Sequence, residues 1–306
     1  MKSTVKVGLI IIVIVFFAGS GLVLNRYRAD DNNMLTRAQN LRIVSLSPSL
    51  TDSLFALGLG DNVVGVTKYC IYPAEAQTRT IVGNLYDHNY ELILKLKPDI
   101  VVLNVDQEKA INQFTGLGIP TAMFDNHDIE NILATFKGLG ETFGRHAEAA
   151  VIIDDIERQL EQTQRITAGL PKVKTMVSVG RGMGSMAVTQ SYAAGPGTYV
   201  GRLLEIAGGE NVYQGAAAYP ILTTEALLRL DPEVIIELVP EVGRGGFTAE
   251  DVLTQWQPLQ EISAVRNNRV YVLSEGYVVL PGPKLVLLLK DMLRVLHPVA
   301  ETDNNA

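Results

Sequence analysis

Cysteine, tryptophan, histidine and clustered positive charge are all scarce in this chain of 306 residues. Each scarcity closes off a class of chemistry. Cys70, the only cysteine, can form no intramolecular disulfide and no thiolate metal or iron–sulfur site; it reads as a small, semi-buried loop side chain. A zinc or manganese centre needs several converging ligands. Of the histidines, His146 and His297 sit on helix patterns, His88 lies near a helix start, and only His127 is placed to reach a cleft. Binding a phosphate backbone takes clustered Lys and Arg. With a formal charge of −7 and no basic run longer than a pair, nucleic acid is excluded as a partner. The body holds no Walker sequence and no Gly-x-Ser-x-Gly. Gly180-x-Gly182-x-Gly184 follows a strand, but a second strand, Met186 to Gln190, comes next. No helix N-terminus is offered to a phosphate there, and the spacing does not fit a dinucleotide loop. The reading is a protein without catalysis and without a resident cofactor. An enzyme, or a membrane-anchored sensor or scaffold, is the alternative class.

What the chain does have begins at its N-terminus. Lys2 and Lys6 precede an uncharged apolar run from Val7 to Leu24, with Arg26 and Arg28 after it. Such a run is a long secretory signal or a bilayer-spanning anchor. Either way the body is expected outside the cytoplasm, periplasmic or extracytoplasmic, and held to the inner membrane by residues 7–24 if they are retained. No cysteine follows the run, which argues against a lipoprotein anchor.

The body contains one pattern twice. Glu91-Leu-Ile-Leu-Lys-Leu-Lys-Pro-Asp-Ile-Val-Val102 and Glu225-Ala-Leu-Leu-Arg-Leu-Asp-Pro-Glu-Val-Ile-Ile236 share Glu, Leu, the basic residue, Leu, Pro and the acid at the same offsets. A Gly-acid-Asn-Val echo precedes each copy, at Gly60–Val63 and Gly209–Val212. Two related units imply two similar lobes, and a cleft between lobes is a natural place to hold a small molecule.

Element signals agree with that division. Arg42–Leu46 is a short apolar strand, and Ser49 with Asp52 signals the start of a helix from Leu50 to Leu57. The Glu91 helix stops before Pro98, and Ile100–Leu103 is apolar enough for a buried parallel strand. From Ile129 to Ala168 no strand pattern occurs. Ala149, Ile152, Ile153, Ile156 and Leu160 fall at helical spacing, and Gly138, Gly140 and Gly144 suggest a break before one long helix over Arg145–Ala168. Strands at Thr175–Val179 and Val270–Leu273 and a terminal amphipathic helix over Lys284–Leu296 complete the second half. The expected parts are a signal or anchor (1–28), a linker (29–40), an N-terminal α/β lobe (41–127), a bridging helix (128–170), a C-terminal α/β lobe (171–298) and a disordered tail (299–306).

Four motifs carry a resemblance: Arg42-Ile-Val-Ser-Leu-Ser-Pro-Ser49, Gly65-Val-Thr-Lys-Tyr-Cys-Ile-Tyr-Pro-Ala-Glu-Ala76, Leu94-Lys-Leu-Lys-Pro-Asp99 and Ala207-Gly-Gly-Glu-Asn-Val212. In this order they resemble the periplasmic solute-binding proteins of ABC importers for cobalamin, ferric siderophores and haem, with the cobalamin-binding branch nearest. The resemblance covers about Leu41 to Pro298. It implies two Rossmann-like α/β lobes joined by a single long α-helix, with the ligand cleft between the lobes. It further implies a monomer that captures cobalamin or a related corrinoid and delivers it to a permease dimer, with a ferric siderophore or haem as the alternative cargo. Glu91 and Glu225 match the acidic positions that dock onto basic pockets of the two permease subunits.

Ligand contacts are expected from loops at strand ends. Tyrosine recurs there, and its flat apolar face with one polar tip suits a large planar ligand. The candidate ligand-binding residues are Ser47, Tyr69, Tyr72, Tyr86, Asn104, Arg181, Tyr219 and Tyr277. Tyr69 and Tyr219 match the cobalamin binder best. Two tryptophan positions of that branch fall on Leu85 and Asn104. Arg181 is expected as the one cation of the cleft, there to pair with a carboxylate or phosphate of the ligand.

Overall fold

The computed structural model describes residues 41–181, 187–240, 242 and 248–298. The apolar N-terminal run, Gly182-Met183-Gly184 with Met186, and the C-terminal tail lie outside the described residues.

The first lobe is a five-stranded, all-parallel sheet. Strands β1 (Ile43–Ser45), β2 (Val63–Val66), β3 (Thr80–Ile81), β4 (Ile100–Asn104) and β5 (Thr121–Phe124) lie in the order β3-β2-β1-β4-β5. Helices α1 (Pro48–Ala56), α2 (Tyr90–Leu96) and α3 (Glu108–Gly116) follow β1, β3 and β4. Val44, Leu46, Val101, Leu103, Ile93 and Phe114 form its core. The strand order reverses between β1 and β4, so a crevice opens beyond the carboxyl ends of those two strands. Helix α1 starts earlier than its sequence signal. Ser47 is the N-cap, with extended backbone, and Pro48 takes the first helical position, where its missing N–H leaves no bond unmade. Ser49 is buried inside the helix.

The second lobe has its own sheet, in the order β11-β10-β6-β7-β9. Its strands are β6 (Val173–Gly180), β7 (Gln190–Ala193), β8 (Gly209–Asn211, paired with the start of β6), β9 (Ile221–Thr223), β10 (Val234–Leu238) and β11 (Val270–Leu273). β7 runs antiparallel to β6 and lies later than the Met186–Gln190 expectation. The expectation followed apolar content. The strand instead follows alternation, burying Ser191 and Ala193 and exposing Gln190 and Tyr192. A separate core gathers Met176, Leu227, Ile235, Trp256, Ile262 and Val265.

The stretch between the sheets breaks at a glycine into two helices, the second of them long, as the spacing predicts. α4 (Ile129–Phe143) ends at Gly144 in the left-handed region (φ 67), and α5 (His146–Thr167) follows at once and packs back on it. Only the last of the three glycines ends a helix. Gly138 and Gly140 lie inside α4 because a Cβ there would meet the Phe124 ring or the Ala149 methyl at 2.8 Å. At 1.5 Å per residue α5 is about 33 Å long. α6 (Tyr199–Ile206) and the C-terminal helix α10 (Leu285–Leu296) pack against it.

The duplicated pattern is a duplicated structure. α2 and α7 (Thr224–Leu230) are each seven residues long, capped by Asn89 and Thr223 side chains that accept from the backbone N–H three residues on. Each ends on a non-glycine residue in the left-handed region, Lys97 (φ 47) and Asp231 (φ 43), just before its proline. β4 and β10 follow. The Gly-acid-Asn-Val echo does not share this likeness: one copy is a 3-10 turn leading into β2, the other is strand β8.

Candidate binding cleft

The crevice of the first lobe is walled by hydroxyls. Ser45, Ser47, Ser49, Thr51 and Ser53 are all buried at the β1–α1 junction. Ser47 Oγ lies 3.0 Å from Ser49 Oγ, and Thr51 Oγ1 donates to the Ser47 carbonyl at 2.9 Å. The candidate Ser47 is therefore closed inside this network, only 1% exposed. Sequence reasoning missed the residue that ties the loops together. Gln107 is buried; its Oε1 accepts from the Asn104 N–H at 2.9 Å and its Nε2 donates to the Leu85 carbonyl at 2.6 Å. It thereby ties the loop that carries Tyr86 to the end of β4, where Asn104 lies. Tyr86 is freely exposed, and Tyr69 is half exposed with Lys68 Nζ 4.9 Å from its ring centre. Asn104 is half buried, with a buried Oδ1 that has no hydrogen-bond partner among the described residues.

Between the lobes several contacts meet. Lys284 lies over the Tyr72 ring, 4.0 Å from its centre, and donates to its hydroxyl. A Cβ at Gly276 would touch the same ring at 3.3 Å. Tyr72 is thus a lobe-to-lobe contact. Asp52 of α1 is buried against the second lobe's Gly282, and burial raises its carboxyl to about 6, with Lys284 pulling the other way. The Tyr199 N–H donates to the His127 carbonyl at 2.9 Å. The His127 ring has Asp125 Oδ2 at 2.9 Å from Nδ1 and Asp128 Oδ2 at 3.0 Å from Nε2. Its hydrogen bond with Asp125, aided by both carboxylates, raises its pKa. With one acid on each side of the ring, the three groups do not converge on a point. Among the described residues no three His, Cys, Asp or Glu side chains converge to hold a metal.

On the second lobe a cavity of about 390 Å³ opens at the carboxyl ends of β6 and β10, where Val179, Gly180 and Leu238 lie. Tyr192, Tyr199 and Tyr219 line it with Val200, Val279 and Pro281. The Tyr192 and Tyr219 faces are open and Tyr199 is buried behind them. Desolvation pushes the phenols of Tyr199 and Tyr219 above the ordinary range, so both stay neutral donors. Asn126, on the segment that follows β5, lines the same cavity, and its Nδ2 lies 3.3 Å from Ser49 Oγ of α1. A larger hollow of about 510 Å³ lies beside the end of α5 and β8. Its cations are spent, Arg202 on Glu205 Oε2 and Lys172 on the Glu205 carbonyl, and it faces the amino end of β6. The strand-end cavity is the better candidate, because ligands of α/β sheets gather at carboxyl ends.

Two further candidates are otherwise occupied. Arg181 is no cleft cation. Its side chain is 1% exposed, its Nε donates to Glu237 Oε1 at 2.7 Å, its Nη2 donates to the Val252 carbonyl at 3.2 Å and its Nη1 meets Gln255. The signal that finds this is Glu237 itself, a lone acid in the apolar strand Val-Ile-Ile-Glu-Leu, which demands a buried cation opposite. Tyr277 turns its hydroxyl away, donating to Asp291 of α10 at 2.7 Å. Tyr69, Tyr86, Asn104 and Tyr219 remain as candidates whose positions leave them open or unpartnered, and Tyr192, Tyr199 and Asn126 join them. Glu91 and Glu225 are not in the cleft; both lie exposed on α2 and α7.

Comparison with known proteins adds to this geometry. A family model described as periplasmic binding protein matches residues 43–277. An uncharacterised ABC transporter substrate-binding lipoprotein, YvrC, of Bacillus subtilis (strain 168) is 26% identical over 280 residues, covering 88% of this chain and 84% of its own. The vitamin B12-binding protein of Pectobacterium carotovorum subsp. carotovorum (strain PC1) is 23% identical over 269 residues, covering 87% and 91%. Among solved structures, the periplasmic heme-binding protein BhuT in complex with two hemes is similar at a TM-score of 0.72 and 25% identity, covering 85% of this chain and 98% of that one.

Proposed function

The chain belongs to the periplasmic binding protein family, and from that premise we propose that it is the extracytoplasmic substrate-binding component of an ABC importer whose cargo is cobalamin or a related corrinoid. The observation that carries the reading is the aromatic cavity at the strand ends of the second lobe, to which the first lobe adds the Asn126 amide. Tyr192 and Tyr219 offer flat apolar faces, while Asn126 and the phenols offer hydrogen bonds at the rim. A large planar ligand with polar side groups needs both. The protein supplies binding and release and alters no bond of the ligand. Glu91 and Glu225 are assigned to docking on the permease dimer, one contact per lobe. The likeness to a heme-binding structure keeps haem as the second reading, with ferric siderophores after it.

The test is a titration of the purified full chain with cobalamin, haem and ferric siderophores, followed by ligand absorbance. Trp256 is 1% exposed within the second core and hydrogen bonded to Glu237, so its fluorescence is a poor reporter of the cleft. Saturable binding of cobalamin is expected, weakened about tenfold by Tyr219→Ala and by Tyr192→Ala, in the range of one lost aromatic contact. Saturation by haem alone moves the assignment to haem. If none of the ligands saturates, the importer reading is wrong.

A further inference from the structure

The duplication of α2 and α7 extends to which side chains are left outside. Counting from the glutamate, both helices run exposed, half-buried, buried, exposed, exposed, half-buried. The buried members are Ile93 and Leu227, each fully inside its own core. The fourth residue is leucine in both, and each is open to solvent: Leu94 is 44% exposed and Leu228 is 36% exposed. Residues three apart on a helix are surface neighbours, so each leucine sits beside its glutamate, Leu94 by Glu91 and Leu228 by Glu225. Among the described residues neither carboxylate forms an ion pair, although Lys95 and Arg229 stand four positions on.

One exposed leucine needs no explanation. Two at the same offset, each beside an unpaired acid, on two lobes with separate cores, do. Burial does not account for them, since neither core covers them. The intervening position has diverged, Leu92 in one copy and Ala226 in the other, while the exposed leucines have not.

We propose that Leu94 and Leu228, each one turn on from its docking glutamate, form two equivalent apolar contacts with the two-fold permease that Glu91 and Glu225 are assigned to dock on. The inference rests on the importer reading and deepens it, since the partner there is a permease dimer. A repeated surface is matched by a repeated one, and a two-fold assembly presents the same pocket twice. Each pocket is then a cation beside an apolar floor. The carboxylate sets encounter and register, and the leucine slows departure by removing apolar surface from water.

The experiment measures the affinity of the full chain for its cognate permease dimer in lipid nanodiscs at low and at high salt. Leu94→Ala and Leu228→Ala are each expected to weaken binding about fivefold, and the double variant about twenty-five-fold, with the salt dependence unchanged. Glu91→Gln and Glu225→Gln are expected to weaken binding at low salt and to flatten the salt dependence. Melting temperature and cobalamin binding should stay at wild-type values in all of them. Leucine variants that bind as tightly as wild type, while the glutamine variants weaken, overturn the proposal and leave the docking glutamates standing. If neither set weakens binding, the permease-docking reading fails with it.

Discussion

Arg181→Ala is expected to destabilise the second lobe by about 3–5 kcal/mol, the range for removing one partner of a buried ion pair. The reason lies in what stays behind. Glu237 is 1% exposed in the middle of β10, and its Oε1 takes both the Arg181 Nε–H and the Trp256 indole N–H, each at 2.7 Å. Among the described residues its Oε2 already lacks a partner. Without the guanidinium, a carboxylate remains in an apolar core with a single indole donor. The guanidinium also ties β6 to the end of α8 (Ala249–Trp256) through the Val252 carbonyl and Gln255, so that contact goes as well. Thermal or urea unfolding checks the loss. Arg181→Met combined with Glu237→Leu should recover much of it, since a buried pair replaced by apolar groups of similar volume is often near neutral. Below its melting range, folded Arg181→Ala should bind ligand with wild-type affinity. An Arg181→Ala variant as stable as wild type but poor in binding would return Arg181 to the cleft.

Arg181 also marks where reading the sequence stops. The duplicated pattern, the lobes and the long helix were legible because each rests on local rules: periodicity, proline stops, buried parallel strands. The partners of a polar side chain are set by which strands become neighbours, and β6 meets β10 across more than fifty residues of chain. Arg181 beside a glycine turn thus read as a cleft cation until β10 supplied Glu237, and Tyr277 as a cleft aromatic until α10 supplied Asp291. Gln107 escaped notice for the same reason, since its partner Leu85 comes from a different loop, 22 residues away. Tyr219 lines the cavity, since an aromatic in a strand-end loop needs no distant partner to face it.

The second large effect is a gain. Asp52→Asn is expected to stabilise the protein at pH 7.5 by up to about 3 kcal/mol. Asp52 is 3% exposed, its Oδ2 has no hydrogen-bond partner among the described residues, and a Cβ on Gly282 would come within 3.2 Å of that oxygen. Burial raises its carboxyl from 3.8 to about 6, so the folded protein holds this proton over a pH range in which the unfolded chain has released it. Extra protons bound to the folded state make stability fall as pH rises. The cost is absent below about pH 4, grows between the two pKa values and is complete above about pH 6. A difference of roughly two pKa units corresponds to about 3 kcal/mol. Lys284 moderates this cost by its charge but spends its hydrogen bond on Tyr72. Asparagine keeps the shape and never ionises, so its advantage should be full at pH 7.5 and vanish near pH 4. Paired unfolding curves of wild type and Asp52→Asn from pH 4 to pH 8 isolate this one group from every other titration. The Ser49 carbonyl and Ser53 hydroxyl, which with Asp52 face Gly282, do not titrate in that range. Lys284→Met should enlarge the gap between the two curves at pH 7.5 by removing the only compensating charge among the described residues named beside Asp52. A parallel pair of curves, with no convergence toward pH 4, would mean that Asp52 is solvated in the folded protein and that the contact of α1 with the 276–284 segment is looser than its geometry.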